Sequence, residues 1–260
     1  MAHKARKRFG QNFLTDPMMI QRIVNTINPA AGELLIEIGP GQAALSEPLS
    51  HSEAELHLLE IDRDLAARLQ SWFGGNDRAH VHNGDALQTD FADLSGKRRF
   101  RLVGNLPYNI STPLLFHVLQ WSELIIDMHF MLQQEVVKRM AASPGGKAWG
   151  RLSVMCQYHC EVTPLFNVPP GAFSPAPKVQ SQFVKLVPHS KPPVEIDNMA
   201  RFEGLVSQAF SMRRKTLRNG LKGLLDSQAI ESAGINPGVR PETLGLAQFA
   251  ALAKQLEGQL

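Results

Sequence analysis

The segment Asn105-Leu106-Pro107-Tyr108 ends a short apolar stretch with polar and aromatic groups. The Asn105 side chain and the Pro107 carbonyl offer hydrogen-bond acceptors, and Tyr108 offers a flat ring. A planar substrate with an amino group would suit both, because its N–H groups could donate while its ring stacks on the tyrosine. The alternative is a strand followed by a proline turn and a core tyrosine. Four residues alone leave both interpretations open, since short motifs often arise by chance.

A glycine-containing turn, residues 37–41 (Glu-Ile-Gly-Pro-Gly), follows another apolar stretch and precedes a helical pattern. Small residues let a ligand approach the backbone, and a helix N-terminus offers N–H donors. The turn is not a full dinucleotide fingerprint, because Pro40 intrudes and the last glycine is absent. We therefore predict a nucleoside-type ligand here, with a purely structural turn as the alternative.

Two carboxylates, Glu60 and Asp85, end the next two predicted strands. Glu60 follows Gly39 by 21 residues, and a carboxylate in that place can accept hydrogen bonds from both hydroxyls of a ribose. Asp85 could accept a hydrogen bond from the exocyclic amine of an adenine. Either acid alone could be an ordinary surface residue at a strand end. Together with the glycine turn and Asn105, they indicate a site at four successive strand ends.

Alternating strand and helix patterns would position these residues. The predicted strands cover residues 33–38, 55–61, 80–82, 101–104 and 125–132. Five such alternations predict an α/β fold with a mostly parallel, doubly wound sheet, in which ligands bind at the carboxyl ends of the strands. Two last strands, 161–166 and 181–187, have no helix between them and are predicted to pair as an antiparallel edge. The glycine turn is predicted to open a helix that runs through Leu45 and Leu49.

Residues 188–193 are rich in proline and resemble a linker, and the pattern after them is purely helical. We predict a basic arm over 1–10, a cofactor-binding domain over 11–188, and a small all-helical domain over 189–260. The predicted helices of the last domain are 199–210, 216–225, 229–233 and 243–256.

Positive charge is concentrated in two clusters that contain no acid. They consist of Lys4, Arg6, Lys7 and Arg8, and of Arg213, Arg214, Lys215, Arg218 and Lys222. These nine of the 27 basic residues leave 18 against 24 acids in the rest of the chain. The pattern favours a polyanionic partner, while a flexible tail and a solvated helix face are the alternative.

Cysteine use and hydropathy exclude several classes of protein. Only two cysteines occur, Cys156 and Cys160, so we expect no disulfide scaffold and a reduced, cytoplasmic setting. His159 lies between them, but the spacing matches no standard zinc motif, and we predict no metal site. The basic N-terminus lacks the apolar stretch of a secretory signal, and residues 124–132 are too short and too polar to span a bilayer.

Several motifs together resemble the S-adenosylmethionine-dependent rRNA adenine N6-dimethyltransferases. They are residues 11–14 (Gln-Asn-Phe-Leu), the turn 37–41, Glu60, Asp85, residues 105–108 and residues 173–181. The resemblance spans residues 11 to about 222, and the basic segment 213–219 is most similar to the branch of the family that acts on small-subunit 16S rRNA. It implies a Rossmann-like class I methyltransferase. Ala43 departs from the pattern, since many relatives carry glycine there.

The resemblance also implies residue roles. The cofactor, S-adenosylmethionine, would be bound by Asn12, Leu14, Gly39, Glu60, Asp85 and Asn105. The target adenine would be handled by Asn105, Pro107, Tyr108 and Phe173, with the two rings on opposite faces of the base. The two basic clusters would bind phosphates of 16S rRNA within the small ribosomal subunit. We expect a monomer that binds no membrane.

The expected reaction is dimethylation of two adjacent adenines in the 3′-terminal hairpin loop of 16S rRNA, late in subunit biogenesis. Three alternatives stay open at this point. A large-subunit rRNA adenine methylase that confers macrolide resistance shares the same motifs. A non-catalytic RNA-binding assembly factor could use the same scaffold. An NAD-dependent dehydrogenase would also use Glu60, but it leaves Tyr108 unexplained.

Overall fold

The computed structural model describes residues 11–256, so the basic arm over 1–10 lies outside the described residues. The strands are β1 (Phe13–Leu14), β2 (Leu34–Ile38), β3 (Glu55–Glu60), β4 (Ala79–Asn83), β5 (Phe100–Asn105), β6 (Ile125–Gln133), β7 (Cys160–Val168), β8 (Phe173–Ser174) and β9 (Ser181–Pro188). The helices are α1 (Pro17–Ile27), α2 (Ser46–Leu49), α3 (Arg63–Phe73), α4 (Phe91–Leu94), α5 (Ser111–Val118), α6 (Gln134–Met140), α7 (Arg151–His159), α8 (Met199–Ser211), α9 (Leu217–Gly220), α10 (Ser227–Ser232) and α11 (Leu246–Gln255).

Seven strands form the main sheet in the order β4-β3-β2-β5-β6-β9-β7. The pairs β4–β3, β3–β2, β2–β5 and β5–β6 are parallel, and β9 runs antiparallel to β6. The sheet is thus mostly parallel, as predicted. The antiparallel strand β9 lies one position inside the edge, because β7 pairs on its outer side. The chain order reverses between β2 and β5, which is where open α/β sheets form their ligand crevice.

Helix α1 begins as its sequence predicts. Asp16 is the N-cap, and its carboxylate accepts hydrogen bonds from the backbone N–H groups of Met18 and Met19. Pro17 occupies the first turn, where its missing N–H group costs nothing. None of the helices in the range 11–256 is both long and apolar enough to cross a membrane.

Two predicted helices are much shorter in the structure. After the glycine turn the chain forms turns and only then the single-turn α2, because Gly41 and Ala43 both have a positive φ that interrupts a right-handed helix. The predicted helix over 216–225 is reduced to α9. Gly223, with a φ of +91°, ends any continuation there.

The chain divides into two compact units. Among the described residues, the first unit comprises 11–137 and 162–188, and the second comprises 138–161 and 189–256. The change of unit at residue 188 coincides with the predicted boundary, but residues 138–161 differ, because they cluster with the helical unit. Hydrogen bonds within that unit explain this: the Trp149 indole donates to the Leu244 carbonyl at 2.9 Å, and the Gly145 N–H donates to the Glu242 carbonyl at 2.7 Å.

Strand β5 is held by a buried ion pair and by a glycine. The Arg101 guanidinium donates to both carboxylate oxygens of Asp127 on β6, at 2.8 and 3.1 Å, and to the Ile27 carbonyl at the end of α1. Further along β5, a Cβ on Gly104 would lie 2.6 Å from the Ile38 carbonyl oxygen. The close approach of β5 to β2 therefore requires glycine at this position.

Candidate active site

A cavity of about 320 Å³ lies in the first unit, beside the carboxyl ends of β2, β3 and β5. It is lined by eight residues predicted from sequence: Asn12, Leu14, Gly39, Glu60, Asp85, Asn105, Pro107 and Tyr108. These residues come from five separate segments of the chain. The parallel sheet brings four of these segments together because its strands end on the same side, and the segment at β1 supplies the fifth.

The glycine turn forms one wall of the cavity. Gly39 and Gly41 have φ values of +68° and +58°, a conformation that glycine adopts without steric strain. A Cβ on Gly41 would lie 3.0 Å from the Phe13 ring, so the turn and the β1 segment leave no room for a side chain there. Ala43, where the sequence departs from the family pattern, also has a positive φ of +65° and is buried.

Glu60 is held in the cavity by backbone donors. Its two carboxylate oxygens accept hydrogen bonds from the N–H groups of Gly41, at 3.0 Å, and Asp62, at 2.9 Å. The residue is 3% exposed, and burial raises the pKa of its carboxyl group above the ordinary value. Each oxygen keeps a lone pair for a ligand hydroxyl.

A second buried carboxyl group lines the cavity beside Glu60. Glu37 is 2% exposed, and its Oε2 atom has no hydrogen-bond partner among the described residues. Burial, with a contribution from the charge of Glu60, raises the pKa of Glu37 to about 7. Sequence reasoning included Glu37 in the glycine motif but assigned it no role. Its place as the only acid within a strand of apolar residues was the available signal.

Asp85, the predicted acceptor for a ring amine, lines the cavity just after β4. The Leu87 N–H donates to its Oδ1 at 2.9 Å, and the Gln88 amide donates to its Oδ2 at 3.1 Å, which holds the carboxylate in place. Ile61 and Leu87 also line the cavity, and Ile61 is 45% exposed although it is apolar. Sequence reasoning missed these two residues, which supply apolar surface beside the predicted adenine acceptor.

The Asn105 amide is oriented by a residue far away in sequence. Its Nδ2 donates to the Asn12 backbone carbonyl at 2.8 Å, across 93 positions of the chain. Because the amide nitrogen has this partner, the oxygen is the group left to accept a hydrogen bond in the cavity. The nearby Pro107 carbonyl accepts from the Ile110 N–H at 3.2 Å and keeps its second lone pair.

Tyr108 is positioned by Ser181, the first residue of β9. The Tyr108 hydroxyl and the Ser181 Oγ are 2.5 Å apart, and either group can donate. Ser181 is fully buried, and burial raises the pKa of the Tyr108 phenol. Ser181 belongs to the motif 173–181, but its contact with Tyr108 could not be read from the sequence.

The structure does not bring Phe173 to the cavity. Its side chain is 4% exposed and belongs to a buried apolar cluster. Phe173 pairs with Leu14 where β1 and β8 form a two-stranded sheet, and this pairing turns its ring into the core. Phe173 is not among the residues that line the cavity, so its contact with the base stays a prediction.

The described basic cluster belongs to the second unit. Its members Arg214, Lys215, Arg218 and Lys222 are exposed, whereas Arg213 is partly buried and donates to the Lys147 backbone carbonyl. The predicted phosphate contacts Lys4, Arg6, Lys7 and Arg8 lie outside the described residues.

Sheet order, cavity position and polar acceptors at the strand ends define a Rossmann-like methyltransferase. The family model for ribosomal RNA adenine dimethylase matches residues 2–257. The chain belongs to that family and is a methyltransferase.

Relatives agree with this assignment over the whole chain. The chain is 57% identical to the ribosomal RNA small subunit methyltransferase A of Pseudomonas putida, covering 99% of this chain and 97% of the relative. The Vibrio cholerae protein of the same name is 51% identical, covering 99% and 95%.

Two solved structures share the fold. A dimethyladenosine transferase from Plasmodium falciparum superposes with a TM-score of 0.78 at 25% identity, covering 92% of this chain and 95% of the other. The 23S rRNA methyltransferase ErmE superposes with a TM-score of 0.67 at 26% identity, covering 95% and 100%.

Proposed function

We propose that this protein transfers methyl groups from S-adenosylmethionine to N6 of two adjacent adenines in the 3′-terminal hairpin loop of 16S rRNA. The reaction would take place in the cytoplasm, late in small-subunit assembly. The observation that carries the proposal is the Asn105 amide, whose nitrogen is bound by Asn12 and whose oxygen remains as an acceptor. The names of the relatives with 51–57% identity support the small-subunit target.

The cavity fits the proposed cofactor. Glu60 would accept hydrogen bonds from the ribose hydroxyls, and Asp85 would accept one from the adenine amine. Ile61 and Leu87 would contact the adenine ring. Asn12, Leu14 and Gly39 line the remaining wall. The unpartnered Glu37 oxygen makes this end of the cavity suited to a ligand that carries positive charge. When bound, S-adenosylmethionine supplies a methyl group on a positively charged sulfur.

The protein groups around Asn105 would promote attack by the adenine amine. The N6 lone pair is delocalised into the ring, which makes the nitrogen a poor nucleophile. The Asn105 oxygen and the Pro107 carbonyl would accept its N–H bonds and draw the nitrogen towards tetrahedral geometry. Holding the lone pair towards the methyl donor is catalysis by positioning and electrostatics. No general base is needed, because the product ammonium loses its proton to water.

The target adenine must leave its stack to reach this site. Tyr108 would stack on one face of the base, a contact worth about 1–3 kcal/mol. Phe173 would have to leave its buried position to cover the other face, so we assign the base contact to Tyr108 alone in the described conformation. For RNA binding we propose the exposed cluster in the second unit together with the N-terminal arm, which would hold phosphates with little reading of sequence.

A reaction with undermethylated small subunits tests this function. Incubation of these subunits, and of large subunits in parallel, with radiolabelled S-adenosylmethionine, followed by mass mapping of nucleotides, should locate N6,N6-dimethyladenine at two neighbouring positions of 16S rRNA. The Asn105→Ala variant should lose this product, whereas the matched variant Asn25→Ala, on the exposed side of α1, should keep it. Label confined to large-subunit RNA would overturn the target, and absence of labelled adenine in either subunit would overturn the function.

A separate measurement distinguishes catalysis from assembly. Glu60→Ala should abolish cofactor binding in a titration while leaving the fold intact. If this variant fully restored subunit maturation in cells that lack the protein, assembly and not methylation would be the main function.

A further inference from the structure

Three side chains at the start of β3 and β4 converge on the face of the main sheet. Glu55 and His57 lie two residues apart on β3, and His80 is paired with His57 across the parallel strands. One ligand atom from each, a carboxylate oxygen or a ring nitrogen, lies within 4.8 Å of the other two. The three residues belong to the first unit and are outside the cavity described above.

The distances between the ligand atoms of this cluster are near those between ligand atoms around a bound metal ion. The His57 Nε2 and His80 Nε2 atoms lie 2.9 and 3.9 Å from the same Glu55 Oε1 atom. Ligands bound at about 2.1 Å in a tetrahedral site are separated by about 3.4 Å. His80 is half exposed, so a small rotation of its side chain would close the remaining gap.

Buried nitrogen atoms around the cluster lack partners. Among the described residues, the His57 Nδ1 and His82 Nε2 atoms are buried without a hydrogen bond. His57 is 8% exposed, and the His82 ring stacks on it at 4.9 Å between centroids. His57 and His80 lie beside the Glu55 carboxylate, and His82 packs on His57. Three imidazoles are an unusual choice for two outer strands of a sheet, where aliphatic side chains would bury more favourably.

We propose that Glu55, His57 and His80 form a binding site for a divalent transition-metal ion of the Zn²⁺ type. Two imidazoles and one carboxylate match the ligand preference of such ions, and a water molecule would complete the tetrahedron. The ion would replace the proton now shared between His57 and Glu55. This proposal differs from the sequence prediction, which considered only Cys156, His159 and Cys160 and expected no metal.

Arg98 is the natural competitor for this site. Its guanidinium makes two hydrogen bonds to Glu55, at 2.9 and 2.7 Å, and its side chain is 53% exposed. An exposed ion pair of this kind contributes little stability, so the arginine can swing into solvent when a metal binds. Arg98 therefore weakens the site without blocking it.

The expected effect of the ion is to tie the edge strand β4 to β3. These strands lead to Asp85 and Glu60, two of the carboxylates that line the cavity. A bound ion stabilises only the folded state, so it raises the thermal midpoint as its concentration rises. The site is thus predicted to be structural, with no part in methyl transfer.

Titration of the chelator-treated, full-length protein with Co²⁺ and Zn²⁺ tests the site. Calorimetry should show one ion per chain, and bound Co²⁺ should give a visible spectrum without a thiolate charge-transfer band. His80→Gln should weaken binding about tenfold or more. His51→Gln, at an exposed histidine outside the cluster, should leave the affinity unchanged. Arg98→Ala should strengthen binding, because the competing cation is removed.

Several results would overturn the proposal. A thiolate band would assign the ion to Cys156 and Cys160, and unchanged affinity in His80→Gln would assign it elsewhere. No saturable binding by the parent protein would show that the cluster serves only as a hydrogen-bonded group around Glu55. The thermal midpoint of His80→Gln without metal provides the folding control.

Discussion

At the scale of single residues, the polar groups of the cavity depend on backbone partners. Glu60 is held by two N–H groups, and Asn105 is held by one carbonyl group. These backbone groups belong to segments that directly adjoin the strand ends, and their hydrogen bonds orient the side chains before any ligand arrives. Such preorganisation is what an enzyme needs when it acts by positioning.

Tyr108 and Ser181 share one hydrogen bond. Variants that remove only this bond therefore separate its contribution to catalysis from that of side-chain packing. Tyr108→Phe and Ser181→Ala should each lower kcat about tenfold, because the ring loses its anchor. The double variant should be no slower than either single variant, since the same bond is removed. Steady-state kinetics with small subunits checks this, and the other tyrosine provides the control: Tyr158→Phe should keep parental kcat. Additive losses would contradict a shared role.

Glu37 should make stability depend on pH. Its pKa in the folded protein is about 7, against 4.5 for an unperturbed glutamate. Between these values the folded protein keeps a proton that the unfolded chain releases, so the free energy of unfolding falls as pH rises from about 4.5 to 7. Glu37→Gln removes this loss of stability. Its free energy of unfolding should exceed that of the parent by about 1–3 kcal/mol at pH 8 and should show no such gain at pH 4.

Urea unfolding of Glu37→Gln and the parent at both pH values provides the measurement. Groups distant from Glu37 titrate equally in the two proteins and cancel in the difference, so the difference reports on Glu37 together with its neighbour Glu60. Glu231 is exposed on α10 and provides the control. The free energy of unfolding of Glu231→Gln should differ from that of the parent by the same small amount at both pH values. A pH-independent effect of Glu37→Gln would mean that the carboxyl group has the same pKa in the folded and unfolded states.

At the scale of elements, the site depends on how closely strands approach each other. β2 and β5 are neighbours in the sheet, and their ends carry the glycine turn and Asn105. Arg101 joins β5 to β6 and to the end of α1 through buried hydrogen bonds. These contacts hold β5 in register, and its last residue therefore meets Asn12 at the correct distance.

Gly104→Ala should disturb both stability and ligand binding. The added methyl group would lie 2.6 Å from the Ile38 carbonyl oxygen, which belongs to a central strand and cannot move away freely. We expect a loss of about 1–3 kcal/mol in the free energy of unfolding and weaker S-adenosylmethionine binding. Gly171→Ala, where an added Cβ meets nothing within 4 Å, is the matched control. Parental stability of Gly104→Ala would show that the strands can separate without cost.

At the scale of the whole molecule, charge and chemistry belong to different parts of the chain. The cavity is built entirely from the first unit, whereas the described basic cluster belongs to the second. An enzyme that acts on structured RNA can use such a division, because phosphate contacts give affinity while the cavity selects the base.

Neutralising the exposed basic cluster should change how RNA affinity depends on salt. Arg218→Gln with Lys222→Gln should weaken binding to small subunits and reduce the slope of log K against log salt by about 0.7–0.9 per lost contact. Binding of S-adenosylmethionine should stay at the parental level, since the cavity is untouched. Lys254→Gln, exposed on α11, should keep the parental slope. An unchanged slope in the double variant would show that these side chains do not contact phosphate.

Much of the fold followed from local patterns. The cap at Asp16, the parallel strands and the polar residues at their ends were predicted, because side-chain periodicity and turn chemistry act over a few residues. The predicted lengths of two helices were wrong, because apolar periodicity does not reveal the positive φ values of Gly41, Ala43 and Gly223.

The sequence by itself determined which polar and aromatic residues stand at the strand ends, and it predicted which of them bind an adenine and a nucleoside cofactor, because motif chemistry depends on residue type and strand order. Only the tertiary structure decided how those side chains are oriented and how deeply they are buried. It oriented the Asn105 amide through Asn12, anchored Tyr108 on Ser181, and buried Phe173 behind β1. Each of these contacts joins residues more than 70 positions apart, and such pairings arise from packing of the whole chain, which no local pattern encodes.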